Sequence, residues 1–210
     1  MEDLKKVFAG KLLGIKAIKL QPNDPFTWAS GWKSPFYCDN RKTLSFHDVR
    51  SFVKLELVHA ILANFPEATA VAGVATGAIA QGMLVADELA LPYAYVRPKP
   101  KDHGMKNQIE GELPVGSKVV VVEDLISTGG SSLKAVAALR EAGFEVVGMV
   151  ASYTYGFPVA EEAFREAHVK LVTLTDYEHV VEKALETGYI KEDEVAMLHD
   201  WRKDPANWKK

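Results

Sequence analysis

The spacing of apolar and polar positions changes several times along the chain, and each change marks an element. Residues 2–14 carry apolar side chains at helical spacing, which predicts an amphipathic helix. Over residues 15–39 the pattern shortens into strand-like pieces broken by Pro22, Pro25, Gly31 and Pro35, so short strands and turns forming a small lid-like region are expected there. Helical spacing returns over about 47–64 and leads through Pro66 to an apolar strand at 70–75, a helix at about 77–90 and a strand at 93–97. After a long polar segment the order continues with an apolar strand ending near 122, a helix at 133–142 and a strand at 145–153. A helix at 160–167, a strand at 169–174 and terminal helices at about 177–185 and 192–201 follow. Strands and helices alternate without an internal repeat, which predicts an α/β fold built on a doubly wound, mainly parallel sheet.

The chemistry concentrates where one of these strands ends. Val119-Val120-Val121-Val122 is a β-branched run suited to a strand covered on both faces, and it leads into Glu123-Asp124-Leu125-Ile126-Ser127-Thr128-Gly129-Gly130-Ser131-Ser132. In sheets of this kind ligands sit beyond the carboxyl ends of the strands. There a carboxylate pair accepts hydrogen bonds from vicinal sugar hydroxyls and helps hold a divalent ion. The glycines let backbone amides approach an anion, and Ser127, Thr128, Ser131 and Ser132 add hydroxyls at the start of a helix. Ser131 or Ser132 is the expected N-cap and Gly143 the expected stop. No Gly-Lys-Ser/Thr closes the turn and Gly-x-Gly-x-x-Gly is absent, so neither a nucleoside triphosphate loop nor a dinucleotide fingerprint is present. The pattern points to a sugar-phosphate site, the alternative being an ordinary serine-capped strand-to-helix turn.

Composition narrows the setting. A chain of 210 residues with 48% hydrophobic content can bury one substantial core, so a single domain over 1–210 is expected. Cys38 is the lone cysteine, which excludes an intrachain disulfide, and the six histidines lack metal-ligand spacing, so no metal-ligating residues are assigned. The N-terminus leads into no uninterrupted apolar segment, and the longest apolar stretch, 70–86, is broken by Thr76, Gly77, Gln81 and Gly82, so a cytoplasmic protein without membrane attachment is expected. A net charge of −3 gives no footprint for nucleic acid.

The polar segment 97–112 is too long for an idle connection in a compact domain. It carries Arg97, Lys99, Lys101, His103 and Lys106, and reads either as an active-site lid or as a solvated linker.

The stretch from Val119 to Ser132 resembles the phosphoribosyl pyrophosphate (PRPP) motif of the type I phosphoribosyltransferases. Arg97 followed by Lys101-Asp102-His103-Gly104 narrows the resemblance to the orotate phosphoribosyltransferase family, whose mobile catalytic loop it is similar to, over about 97–113. Residues 26–41, Phe-Thr-Trp-Ala-Ser-Gly-Trp-Lys-Ser-Pro-Phe-Tyr-Cys-Asp-Asn-Arg, resemble that family's N-terminal hood, placed at about 15–45. The resemblance implies transfer of ribose 5-phosphate from PRPP to orotate, giving orotidine 5′-monophosphate and pyrophosphate in pyrimidine biosynthesis. It implies Mg2+ as cofactor and a homodimer with active sites shared across the interface.

It also implies roles. Arg97, Lys101 and His103 would bind PRPP, with Lys101, Asp124 and His103 carrying catalysis. Glu123 and Asp124 would engage the ribose hydroxyls, and Leu125, Ile126, Ser127, Thr128, Gly129, Gly130 and Ser131 would wrap the 5-phosphate. Ser127, Ser30, Gly31, Phe36, Tyr37 and Arg41 would meet orotate. On their own the hood aromatics favour a small packed core, and Arg41 a surface ion pair. Several positions depart from the family pattern. Ala29 and Pro98 stand where many members carry lysine, Thr76-Gly77 stands in place of Tyr-Lys, and Tyr153-Thr154-Tyr155-Gly156 lies where some members offer an arginine. Lys33, Lys99 and Arg41 are candidates to restore charge. Two other readings stay open, a phosphoribosyltransferase for another base and a non-catalytic PRPP-sensing regulator.

Overall fold

The computed structural model describes residues 2–27, 33–99 and 108–208. In chain order its elements are helix α1 (Glu2–Gly14), strands β1 (Ile18–Leu20), β2 (Phe26–Thr27), β3 (Lys33–Ser34) and β4 (Phe36–Cys38), and a 3-10 helix (Asn40–Ser45). Then come α2 (His47–Asn64), β5 (Ala70–Val74), α3 (Ile79–Leu89), β6 (Tyr93–Val96), β7 (Ile109–Glu110), β8 (Lys118–Ile126), α4 (Gly130–Glu141), β9 (Glu145–Thr154) and α5 (Pro158–Glu166). β10 (Leu171–Asp176), α6 (Tyr177–Glu186) and α7 (Glu192–Lys203) complete the chain. The expected elements are all present, shifted by one to three residues at their ends. Two features differ from expectation. The segment after Arg97 contributes the short strand β7, and β8 does not stop at the acids but runs through them to Ile126, because its ladder with β9 continues to Ile126 and Thr154.

The chain folds into two compact units, residues 44–174 and a second that joins residues 1–43 to 175–210. Where the sequence reads as one domain with an N-terminal hood, the hood residues therefore share a unit with the C-terminal helices.

The larger unit holds a six-stranded sheet in the order β10-β9-β8-β5-β6-β7. β9, β8, β5 and β6 are mutually parallel, and β7 pairs antiparallel with β6 at the edge. Both faces are covered, which is why the strands read as unbroken apolar runs. Val119 and Val121 face one layer with Ala135, Val136 and Leu139 of α4, while Val120 and Val122 are equally buried on the other. On α2, Val49, Val53, Leu57, Val58 and Ile61 form the buried stripe that helical spacing requires.

The other unit has its own core. Phe8, Ala9, Leu12 and Leu13 line the buried side of α1. The Phe36 ring stacks on Trp201 at 6.4 Å and meets Tyr177 at 5.4 Å, and all three side chains are fully enclosed. Lys5 pairs with Asp176 at 2.8 Å, and the Asp176 carboxylate caps α6 by accepting from His179 N–H. β1 pairs antiparallel with β4, and β2 with β3.

Gly148 on β9 tests the tightness of the larger core, because a Cβ there would lie 2.1 Å from the ring of the buried Phe65. Gly148→Ala is expected to destabilise the protein by about 1–3 kcal/mol through overpacking, measured as a shift in the urea midpoint at unchanged slope.

Candidate active site

The order of strands in the sheet locates the site before any side chain is considered. From β5 the chain steps outward to β6, then returns across β5 to β8 and proceeds the other way to β9 and β10. The direction reverses between β5 and β8, and ligands of open α/β sheets bind in the crevice at that reversal, beyond the strands' carboxyl ends. Two turns meet there, residues 75–78 after β5 and 127–129 after β8.

The acid pair divides between the two faces of the sheet, as adjacent residues of a strand must. Glu123 follows Val119 and Val121 onto the α4 side and is only 4% exposed. Its Oε1 accepts the Asp124 N–H at 2.9 Å and its Oε2 accepts the Ser132 hydroxyl at 2.8 Å. Burial, reinforced by the neighbouring Asp124 charge, pushes the Glu123 carboxyl up to about 8, and the Ser132 hydrogen bond works against that rise. Asp124 leaves the strand on the opposite side and stays half-buried, with its carboxyl still within hydrogen-bond reach of Glu123. Its carboxylate lies against Gly77, where a Cβ would come within 2.1 Å of Oδ2. The Ala75–Thr76 peptide in this turn is cis.

The anion loop is shaped from both sides. Gly129 is the N-cap of α4, in the left-handed region at φ 80°, and a Cβ there would approach the Phe164 ring of α5 to 2.9 Å. Glycine alone satisfies both conditions. The expected serine cap is therefore displaced. Ser131 and Ser132 fall inside the helix, and no side chain caps it. Thr128, Gly130 and Ser131 are exposed and Ser127 half-exposed, so the loop from Ser127 to Ser131 offers hydroxyls and first-turn amides to solvent. Leu125 and Ile126 do not belong to that loop, because both lie in β8. Ile126 is fully buried, with its carbonyl accepting from Tyr155 N–H at 3.0 Å, and so turns its side chain into the core instead of toward a phosphate.

Beside the loop is a cleft of about 350 Å³ bounded by Val74 and Ala75 at the end of β5, Val96 and Arg97 at the end of β6, and Gly130, Ser131 and Lys134 of α4. Arg97, Lys99 and Lys134 line it, with no acidic side chain among its described lining residues. Arg97 also sits 3.4 Å from Glu110. Lys134 is absent from the sequence-based assignment, although its position four residues after Gly130 places it on the same helical face as the residue that opens α4.

Placement of the remaining expected residues is uneven. Ser30, Gly31, Lys101 and His103 lie outside the described residues. Phe36 is enclosed in its own core, so the ring exposed in that segment is Tyr37, 37% accessible and tilted against Phe26 at 5.4 Å. Arg41 donates to Asp39 at 2.7 Å, and this hydrogen bond holds the Asp39 carboxyl below its ordinary value.

A parallel sheet with a hydroxyl-glycine turn and a half-buried carboxylate at its reversal is accompanied by a family match, residues 56–187 matching the family described as the phosphoribosyl transferase domain. The chain is 69% identical to the orotate phosphoribosyltransferase of Bacteroides thetaiotaomicron over 208 residues, covering 99% of this chain and 98% of that one. It is 64% identical to the Porphyromonas gingivalis protein of the same name, covering 99% of each. Among solved structures, orotate phosphoribosyltransferase from Aeropyrum pernix superposes with a TM-score of 0.76 at 31% identity, covering 87% of this chain and 99% of that one. This chain belongs to the orotate phosphoribosyltransferase family.

The contact between the two turns yields a test. Gly77→Ala must displace the Asp124 carboxylate. Since misplacing a positioned group by about 1 Å costs on the order of 100-fold, the variant is expected to lose about that factor in kcat/KM while its far-UV circular dichroism stays unchanged.

Proposed function

We propose that this enzyme transfers the 5-phosphoribosyl group of PRPP to orotate, giving orotidine 5′-monophosphate and pyrophosphate on the route to UMP. The observation that carries this reading is the outward Asp124 carboxylate beside the exposed anion loop of Ser127 to Ser131 at the sheet's reversal point. A ring nitrogen of orotate attacks C1 of PRPP. The N–C1 bond forms as the C1–O bond breaks, and its electron pair leaves on pyrophosphate through an oxocarbenium-like state.

The protein contributes alignment and charge. Amides and hydroxyls from Ser127 to Ser131 hold the 5-phosphate, and Asp124 accepts hydrogen bonds from the ribose hydroxyls while its charge favours the developing cation. Arg97, with Lys101 and His103, meets the pyrophosphate. Ser30, Gly31, Tyr37 and Arg41 are assigned to orotate, with Arg41 exchanging its Asp39 partner for the substrate carboxylate.

Among the described residues no cluster of three or more His, Cys, Asp or Glu side chains is placed to hold a metal ion. A cation caged wholly by protein therefore does not fit this donor set. Mg2+ arriving with pyrophosphate does, since it keeps several waters and takes one or two carboxylates beside phosphate oxygens, and Asp124 is the half-buried carboxylate at the sheet's reversal. Bound there it would neutralise charge on the leaving group. The enzyme acts as a homodimer whose loop residues Lys101 and His103 serve the neighbouring subunit's site. No described helix is long and apolar enough to cross a membrane, and a cytoplasmic setting is supported by substrates too charged to cross membranes unaided.

The test is loss of orotate absorbance on mixing the protein with PRPP and Mg2+, with adenine, hypoxanthine, guanine and uracil in parallel. Consumption of orotate alone, dependent on Mg2+, is expected. Consumption of another base would overturn the base assignment, and saturable PRPP binding without turnover would make the protein a sensor. Lys101→Ala is expected to lower kcat by roughly 100- to 1,000-fold, the scale of removing a donor to developing charge, while KM for PRPP changes much less. Equal losses in the two would contradict that role.

A further inference from the structure

Ser132 is the one hydroxyl of the Ser/Thr-rich turn that is buried, at 1% exposure, and the Gly129 cap leaves it free of the capping role its position suggests. Its hydroxyl points back to β8 and donates to Glu123 Oε2 at 2.8 Å, nine positions upstream. The bond closes the anion loop on itself, since everything from Asp124 to Ser131 lies between its two ends. Glu123 is held at its other oxygen by the Asp124 N–H, so the same carboxylate that ties down α4 also orients the backbone of the residue presenting the outward acid. A carboxyl group 4% exposed needs its oxygens satisfied by hydrogen bonds, and the Ser132 hydroxyl supplies one of them.

We propose that Ser132 is a positioning residue for PRPP. Through Glu123 it holds the first turn of α4 against the end of β8, so that the exposed amides and hydroxyls of the loop and the carboxylate of Asp124 keep one spacing, the span from 5-phosphate to ribose hydroxyls. Ser132 itself touches no substrate. The inference rests on the PRPP reading of this loop.

Steady-state kinetics of the full-length protein test it. Ser132→Ala is expected to raise KM for PRPP about tenfold, the scale of leaving a buried polar group short of a hydrogen-bond partner, with KM for orotate within about twofold of wild type. Ser132→Cys keeps the volume and a weak donor, should fall between the two, and serves in place of the alanine variant if that one does not fold. Because the effect passes through Glu123, adding Ser132→Ala to Glu123→Gln should raise KM for PRPP less than Ser132→Ala does alone. An unchanged KM for PRPP in Ser132→Ala, an equal rise in both KM values, or full additivity with Glu123→Gln would each overturn the positioning role while wild-type turnover left the PRPP reading standing. A wild type that cannot use PRPP at all would overturn both.

Discussion

The Glu123 carboxylate, buried where β8 ends, is the constraint around which the site is organised. Period-two alternation sends Glu123 to the face already occupied by Val119 and Val121, inside the layer shared with α4, and sends Asp124 to the opposite face. A polar group in that layer is tolerated only with hydrogen-bond partners at hand, and they come from the two segments whose placement matters most, the Asp124 amide and the first turn of α4. The hydrogen bonds that make the buried acid tolerable thereby set the geometry of the exposed one. From the far side, Phe164 closes against Gly129 and leaves the loop no room for a side chain at its cap.

The partner turn after β5 depends on a second close approach. Tyr93 on β6 donates its hydroxyl to the Ile79 carbonyl at 2.7 Å, in the first turn of α3. Its ring and hydroxyl fill the space that a Cβ on Gly73 or Gly82 would require. Burial drives the Tyr93 hydroxyl pKa well above its ordinary value, so it remains a neutral donor across the physiological range. With β5 and α3 drawn together over glycine, residues 75–78 arrive at the sheet reversal with Gly77 facing Asp124. Two seams, one polar and one built of glycine and tyrosine, thus bring the two turns to one point.

The unit formed by both ends of the chain has a different logic. Phe36, Tyr177 and Trp201 come from distant parts of the sequence and share one aromatic core, with the Tyr177 hydroxyl donating to the Leu198 carbonyl at 2.7 Å. Lys5 and Lys6 on α1 reach Asp176, Glu182 and Glu186 at the other end of the chain. Tyr37, next to the buried Phe36, is left at the surface by the same strand alternation that separates Glu123 from Asp124.

The elements, the parallel sheet and the hydroxyl-glycine turn after the acid pair were legible in the sequence because each rests on local chemistry. Four consecutive valines, the 3.6-residue stripe on α2 and the hydroxyl-glycine turn carry the same meaning wherever they occur. The roles within the turn were not legible. Whether Ser132 caps a helix or anchors a carboxylate depends on Gly129 adopting the left-handed conformation beneath Phe164, a contact between residues far apart in the chain. That Ile126 belongs to the core and not to the loop depends on how far β9 continues to pair with β8. Lys134 lines the cleft because α4 lies beside the ends of β5 and β6, and Phe36 is internal because Trp201 returns to stack on it. Sequence by itself determined which residues could bind a sugar phosphate, since that follows from side-chain chemistry and local spacing. Tertiary structure decided which of them reach the surface, since burial and hydrogen-bond partners are set by segments that meet only in the folded chain.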